Sequence, residues 1–344
     1  MSGRRVLLVR QDNDGDVLLA GPALRALAAG AEHVTLLCGP RGRAAAELLP
    51  GVDAVMVWRA PWIDPEPSPV DPEDVAWIQA ELRAGAFDQA IVLTSFHQSP
   101  LPMALLLRLA GVLTVAAISE DYPGSLLDVR HRVPDDLHEV QRGLSLVSTL
   151  GYALPAGDPG ELRVRRRAGA DPPQLEPYVV VHPGASVPAR AWEPAQNALL
   201  VEALRAEGRS VVVTGSPGER ALTARVAGPP RAGVTDLGGR TDFASLAEVL
   251  DGAEAVVVGN TGPAHLAAAV GTPVISLFAP TVPAARWRPW AVAHELLFRE
   301  VPCAGCRARV CPFEDHPCLG GVSVEEVVHA LERLAPSRVG AAIG

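Results

Sequence analysis

Two kinds of segment alternate along this chain, and that alternation limits its fold more than any other feature. Short runs of leucine and β-branched residues recur: RVLLVR, HVTLLC and DAVMVW, then YVVVH, SVVV and AVVVG. Each has the length and composition of a strand buried on both faces. Segments with apolar residues at helical spacing separate them, among them VLLAGPALRALAAG, VDPEDVAWIQAELRAG and AQNALLVEALRAEG. Strands alternating with helices imply βαβ units and parallel sheets. The periodicity fails at residues 153–177, a stretch rich in Pro, Gly and Arg. That break predicts two domains, 1–165 and 176–344. The expected fold is α/β, with two Rossmann-like halves whose strands point their carboxyl ends into a central cleft. Ligands of open α/β sheets bind at such ends.

Composition narrows the function classes. With 344 residues, 48% hydrophobic and 20% charged, the chain has material for a large core. No apolar stretch reaches the roughly 18–20 residues of a membrane span. The opening MSGRRVLLVRQDNDGD lacks the longer apolar region of a secretory signal, so a cytoplasmic location is expected. A net charge of −9 argues against a protein built to coat nucleic acid. All 30 basic residues are arginine, so any phosphate-binding cation must be one. Neither G-x-x-x-x-G-K-[ST] nor a G-x-G-x-x-G after the first strand is present, which speaks against an ATPase, kinase or dehydrogenase.

The strongest local signal is GNTGPAHLAAAVGTPVISLFAPT. A strand ends at Gly259, a polar turn of Asn260, Thr261 and Gly262 follows, and a helix begins near Pro263. Backbone amides at a helix N-terminus, joined by the Thr261 hydroxyl, suit a diphosphate. His265, in the first turn, would add a donor. The competing structural reading is a tight turn with a packing histidine.

NTGPAHLAAAVGTP with LFAPT resembles the nucleotide-sugar motif of glycosyltransferase family 9, which includes the bacterial heptosyltransferases. HPGASVPARAW (182–192), GDVLLAGPALRAL (15–27) and TGSPGER (214–220) resemble three further motifs of that family, in the same order. The resemblance implies a GT-B fold, inversion at the anomeric carbon and no metal requirement. It makes Asp16 the general base, a role a carboxylate can fill for an attacking hydroxyl. The structural alternative for Asp16 is a helix cap. Arg190 falls where the family has a phosphate-binding lysine, with Ser186 and the Gly184 backbone beside it. Glu219 matches a ribose-binding position. Asn260 departs from the family's usual aspartate, so donor identity does not carry over with the motif.

The resemblance further implies a nucleotide-sugar donor, ADP-heptose first among candidates, and an acceptor that is a glycan, glycolipid or small molecule. Peripheral contact with a membrane fits a lipid-linked acceptor. His97, Arg130 and Arg132 are acceptor-side candidates on the first half. The run RVRRR (163–167) reads as a solvated linker. A nucleotide-sugar epimerase and a non-catalytic nucleotide-sugar-binding protein are the rival readings. Cys303, Cys306, Cys311 and Cys318, with His316 among them, have a spacing compatible with zinc or an iron–sulfur centre but match no standard ribbon. Free thiols or a disulfide are the favoured alternative, and any metal there would be structural.

Overall fold

The computed structural model describes residues 3–64, 66–95, 97–166 and 177–336. The chain divides into two compact units, Met1–Arg165 and Arg166–Gly344. Residue 176, the expected start of the second domain, lies outside the described residues, as does Arg167 of the basic run.

The first unit runs β1 (Arg5–Arg10), α1 (Asp14–Leu19), α2 (Gly21–Ala28), β2 (His33–Cys38), α3 (Arg43–Ala46), β3 (Ala54–Val57), α4 (Pro72–Ala84) and β4 (Gln89–Val92). It closes with α5 (Leu101–Leu109), β5 (Thr114–Ile118), β6 (Val129–His131) and α6 (Glu139–Ser148). Its six strands pair in parallel in the order β3-β2-β1-β4-β5-β6. The chain winds outward from β1 in one direction and then, from β4, in the other. A crevice opens at the carboxyl ends of two strands where the winding reverses. Here those strands are β1 and β4.

The second unit repeats this plan. It contains β7 (Tyr178–His182), α7 (Pro194–Ala206), β8 (Ser210–Val213), α8 (Arg220–Ala227), β9 (Val234–Asp236), α9 (Phe243–Asp251) and β10 (Ala255–Gly259). Then come α10 (Gly262–Val270), β11 (Val274–Leu277), α11 (Ala284–Trp287), β12 (His294–Leu297), α12 (Pro317–Gly320) and α13 (Val324–Leu334). The order β12-β11-β10-β7-β8-β9 puts the reversal at β7 and β10. Both strands are buried along their whole length, as their valine content requires. The capping box expected at the last helix is present: Ser323 and Glu326 bond each other's backbone amides.

Three local expectations are corrected. The helix read as one run from Val17 starts at Asp14 and breaks at Ala20. Pro22 stands second in α2 and has no N–H for the Leu18 carbonyl, so continuous helix is lost there. Edge strands β6 and β12 were not anticipated. They have three and four residues and are only half-buried, so they carry neither the length nor the apolar run of the inner strands. The stretch before residue 166 is aperiodic and its arginines are exposed, as expected, but it is anchored to the first unit and is not a free linker. Arg163 pairs with Asp158 and Glu161, the Arg165 amide donates to the Leu48 carbonyl, and Leu162 is buried. Asp158 in turn accepts from Nε of Arg25 on α2 at 2.7 Å.

Candidate functional site

In the first unit the crevice is built around the end of β1. Arg10, the last strand residue, is buried, and its guanidinium meets three carboxylates. Nε lies 3.0 Å from Asp12 Oδ2, Nη2 is 2.8 Å from Asp16 Oδ1, and Nη1 is 3.4 Å from Glu139 Oε2. Burial disfavours that charge, but Asp12, Asp16 and Glu139 together hold the guanidinium above its ordinary value. Asp12 also accepts from Gln98 Nε2 at 2.7 Å and from the Ser95 hydroxyl. Burial pushes the Asp12 carboxyl up to about 6 despite Arg10 beside it. Arg142 supports the far side of Glu139 at 3.5 Å.

Asp16 sits in the first turn of α1, but it does not cap that helix. The N-cap is Asn13, and the Asp16 bond goes to Arg10 through Oδ1. Among the described residues no hydrogen bond or ion pair reaches its Oδ2. Its side chain keeps 19% exposure, the most of the three carboxylates on Arg10. It lines a small pocket together with the charged Arg10, Glu139 and Arg142 and with Leu19, Leu93 and Ile118. Asp14 points elsewhere: its Oδ1 accepts from the Ala45 amide at 3.0 Å, and burial pushes its carboxyl up to about 6. Asp12 and Asp14 therefore serve separate partners.

In the second unit the crevice lies at the ends of β7 and β10. Gly259 ends β10, and a Cβ on it would come within 2.6 Å of the Arg190 carbonyl oxygen. Only glycine lets that backbone approach so closely. The turn Pro188–Arg190 is thereby laid against the end of β10. Arg190 Nε donates to the Thr281 hydroxyl, whose Oγ1 is 3.2 Å away. Asn260 is buried, with Nδ2 donating to the Ala279 carbonyl and Oδ1 without a hydrogen-bond partner among the described residues. Thr261 is the N-cap of α10, and its buried Oγ1 makes no hydrogen bond there either. Gly262 opens α10 and His265 is buried in its first turns. A helix N-terminus flanked by an arginine and two unspent polar oxygens can hold an anion with adjoining hydroxyls.

Gly184 and Glu219 also come together. Glu219 caps its own turn, with Oε2 accepting from the Ser216 amide and hydroxyl at 2.7 Å each. Its Oε1 lies directly over Gly184, where a Cβ would collide with it. Half of the carboxylate is thus structural, while the other half faces the glycine. Ser186 is exposed in the loop after β7. His182, at the end of β7, bonds the Thr214 hydroxyl through Nδ1 at 2.9 Å, and burial lowers its pKa.

The cysteine-bearing loop braces this region. The Ala189 amide donates to Arg309, the Gly305 amide to Pro280 and the Arg307 amide to Thr281. His316 Nε2 is 3.1 Å from the Ala189 carbonyl, which ties that ring nitrogen to the backbone. Cys318 is buried in the second unit's core, and burial pushes its thiol up to about 11. Cys303 and Cys311 are half-buried, Cys306 is exposed, and none is in a disulfide. Among the described residues no three metal-binding side chains are gathered into a coordination group.

Of the acceptor-side candidates, Arg130 is committed to the carbonyls of Ser119 and Glu120, whereas His97 and Arg132 are exposed. The sequence reading passed over Arg10, Glu139 and Thr281. Arg10 was hidden as the end of a strand, and Glu139 as a polar residue in an amphipathic helix. Thr281 stands in the quoted LFAPT run, which was the available signal.

Two doubly wound Rossmann-like units, the second with an anion-suited turn after β10, have the plan of a GT-B protein, and the comparisons give the family. The family model for glycosyltransferase family 9 (heptosyltransferase) matches residues 75–316. The chain belongs to glycosyltransferase family 9. It is 33% identical over 276 residues to lipopolysaccharide heptosyltransferase 1 of Pseudomonas aeruginosa, covering 76% of this chain and 75% of that protein. Lipopolysaccharide heptosyltransferase 3 of Escherichia coli is 28% identical over 277 residues, covering 74% and 77%. The solved structure of the E. coli ADP-heptose lps heptosyltransferase II superposes with a TM-score of 0.74 at 18% identity, covering 96% of this chain and 98% of that one. The fold is GT-B and the protein is a glycosyltransferase, which sets aside the epimerase and binding-protein readings. Among the described residues no helix is long and apolar enough to cross a membrane.

Proposed function

We propose that this protein transfers a heptose from ADP-heptose to an acceptor hydroxyl, with inversion at the anomeric carbon. The acceptor class is a glycolipid or glycan, and the enzyme works as a peripheral visitor to the membrane face that carries it. The relatives support the donor: the E. coli protein of similar fold is an ADP-heptose lps heptosyltransferase, and the two relatives similar in sequence are lipopolysaccharide heptosyltransferases.

The observation that carries the mechanism is the state of Asp16. One carboxylate oxygen accepts from Arg10, the other makes no hydrogen bond among the described residues, and the side chain lines a pocket. In the proposed step the acceptor oxygen attacks the anomeric carbon and loses its proton to Asp16 Oδ2. The bond from that carbon to the diphosphate breaks, and the electron pair leaves with ADP. General-base help of this kind contributes roughly 10²–10⁴-fold. The developing phosphate charge falls to the α10 N-terminus, Arg190 and His265, with Thr261, Gly262, Ser186 and Gly184 completing the cradle. Glu219 Oε1 takes a ribose hydroxyl. Asn260 offers a neutral acceptor to a sugar hydroxyl where a carboxylate would carry charge. No step in this scheme needs a metal.

A mass-spectrometric screen tests the reading: the enzyme is incubated with ADP-heptose and other nucleotide sugars against a panel of lipid-linked and free glycans. The expected result is a heptosylated product with ADP released in equal amount. Transfer from a uridine- or thymidine-linked sugar, with none from ADP-heptose, would overturn the donor assignment.

A further inference from the structure

The guanidinium at the end of β1 has no role in the scheme so far, yet it is the most elaborately held charge in the first unit. We propose that Arg10 is the positioning residue for Asp16: it fixes one carboxylate oxygen, leaves the other facing the pocket, and shares its charge among three carboxylates so that the base is oriented without being spent. The inference rests on Asp16 acting as the base.

Each guanidinium nitrogen serves a different acid, Nε Asp12, Nη2 Asp16 and Nη1 Glu139. A base paired alone with arginine at hydrogen-bond distance would be oriented but weakened, because the neighbouring charge opposes protonation. Asp12 and Glu139 offset that effect. Glu139 brings a second carboxylate to the same cation, Asp12 adds its charge above about pH 6, and Arg142 pairs with the far side of Glu139. The arrangement is rigid. Arg10 lies at a strand end, Ser95 and Gln98 hold Asp12, and Glu139 is buried at the start of α6. An unrestrained aspartate in a first helical turn would sample several rotamers, so only part of its population would face an attacking hydroxyl.

The charged groups facing Asp16 and its cation are Asp12, Glu139 and Arg142; Ser95 and Gln98, on the loop after β4, are uncharged. Removing Arg10 should therefore move the acid limb of the pH–rate profile to higher pH.

The test uses the full chain with ADP-heptose and the acceptor found by the screen. Arg10→Met should lower kcat about 10²-fold, the order seen for a base misplaced by an ångström, with donor KM little changed. Arg10→Lys should recover part of that loss, since it keeps the charge but not the planar fork. An Arg10→Met protein that melts like wild type and keeps both kcat and its acid limb overturns the proposal. Should Arg10→Met fail to fold, Arg10→Lys decides: a lowered kcat with donor KM little changed supports the proposal, and a wild-type kcat overturns it. Asp16→Asn separates the two claims. Full turnover in that variant defeats the base assignment itself, whereas a dead Asp16→Asn beside an unaffected Arg10→Met defeats only the role of Arg10.

Discussion

Gly259→Ala tests the second-unit site through a contact that no side chain makes. The added Cβ would lie 2.6 Å from the Arg190 carbonyl oxygen, and ordinary contact begins at 3.4 Å, so one backbone must retreat by about 0.8 Å. Gly259 is the end of a fully buried strand and cannot give. The Arg190 turn must move instead, although it is tied by the Ala189 amide to Arg309 and by the Ala189 carbonyl to His316. Overpacking of this kind costs about 1–3 kcal/mol. For a unit of this size that amounts to a fall in melting temperature of roughly 2–12 °C. The displaced Arg190 would also lose its phosphate contact, a charge-assisted hydrogen bond of about 1.5–3 kcal/mol. ADP should then bind roughly 10- to 150-fold more weakly. Calorimetry with ADP, on a protein shown folded by its melt, reads this directly. Arg190→Ala should weaken ADP similarly, and the double variant should add little, because both changes act through one side chain. A lower melting temperature with unchanged ADP affinity would refute the placement of Arg190 on the diphosphate.

Asp16→Asn should reduce transfer by roughly 10²–10⁴-fold while ADP affinity stays near wild type, as steady-state kinetics beside calorimetry would show. His265→Ala should weaken ADP binding by about 1.5–3 kcal/mol; unchanged affinity would return the histidine to a packing role. Arg25 holds the Asp158 carboxyl down to about 2, below its unfolded value. The stability from this pair is thus present above about pH 4 and is lost as pH falls toward 2. Asp158→Asn should accordingly lower the melting temperature at pH 7 and converge with wild type in acid. Exhaustive chelation should leave initial transfer rates intact, because Asp12 and Asp14 are committed to Arg10 and Ala45. Activity lost to chelator and restored by magnesium, with no change in melting temperature, would contradict this.

Local pattern was enough to mark the inner strands and most helices. A strand such as YVVVH or AVVVG has no polar face, so its burial on both sides is written into its own residues. The turn at Asn260–His265 was equally legible, since a strand end, a polar turn and a helix start are adjacent in sequence. The edges were not: β6 and β12 are half-buried and acquire their strand geometry from a neighbour's hydrogen bonds. The broken helix at Ala20 shows a local rule outweighed by periodicity in the reading, although Pro22 was in view. What only the tertiary structure decided is which distant residues share a charge or a contact. Arg10, Ser95 and Glu139 meet across sequence separations of 85 and 129 residues. Gly259 meets Arg190 because β10 lies beside β7 in the sheet. Side-chain periodicity records only whether a residue faces inward. The order of strands in the sheet determines which inward-facing residues become neighbours, and that order is settled by packing the whole unit.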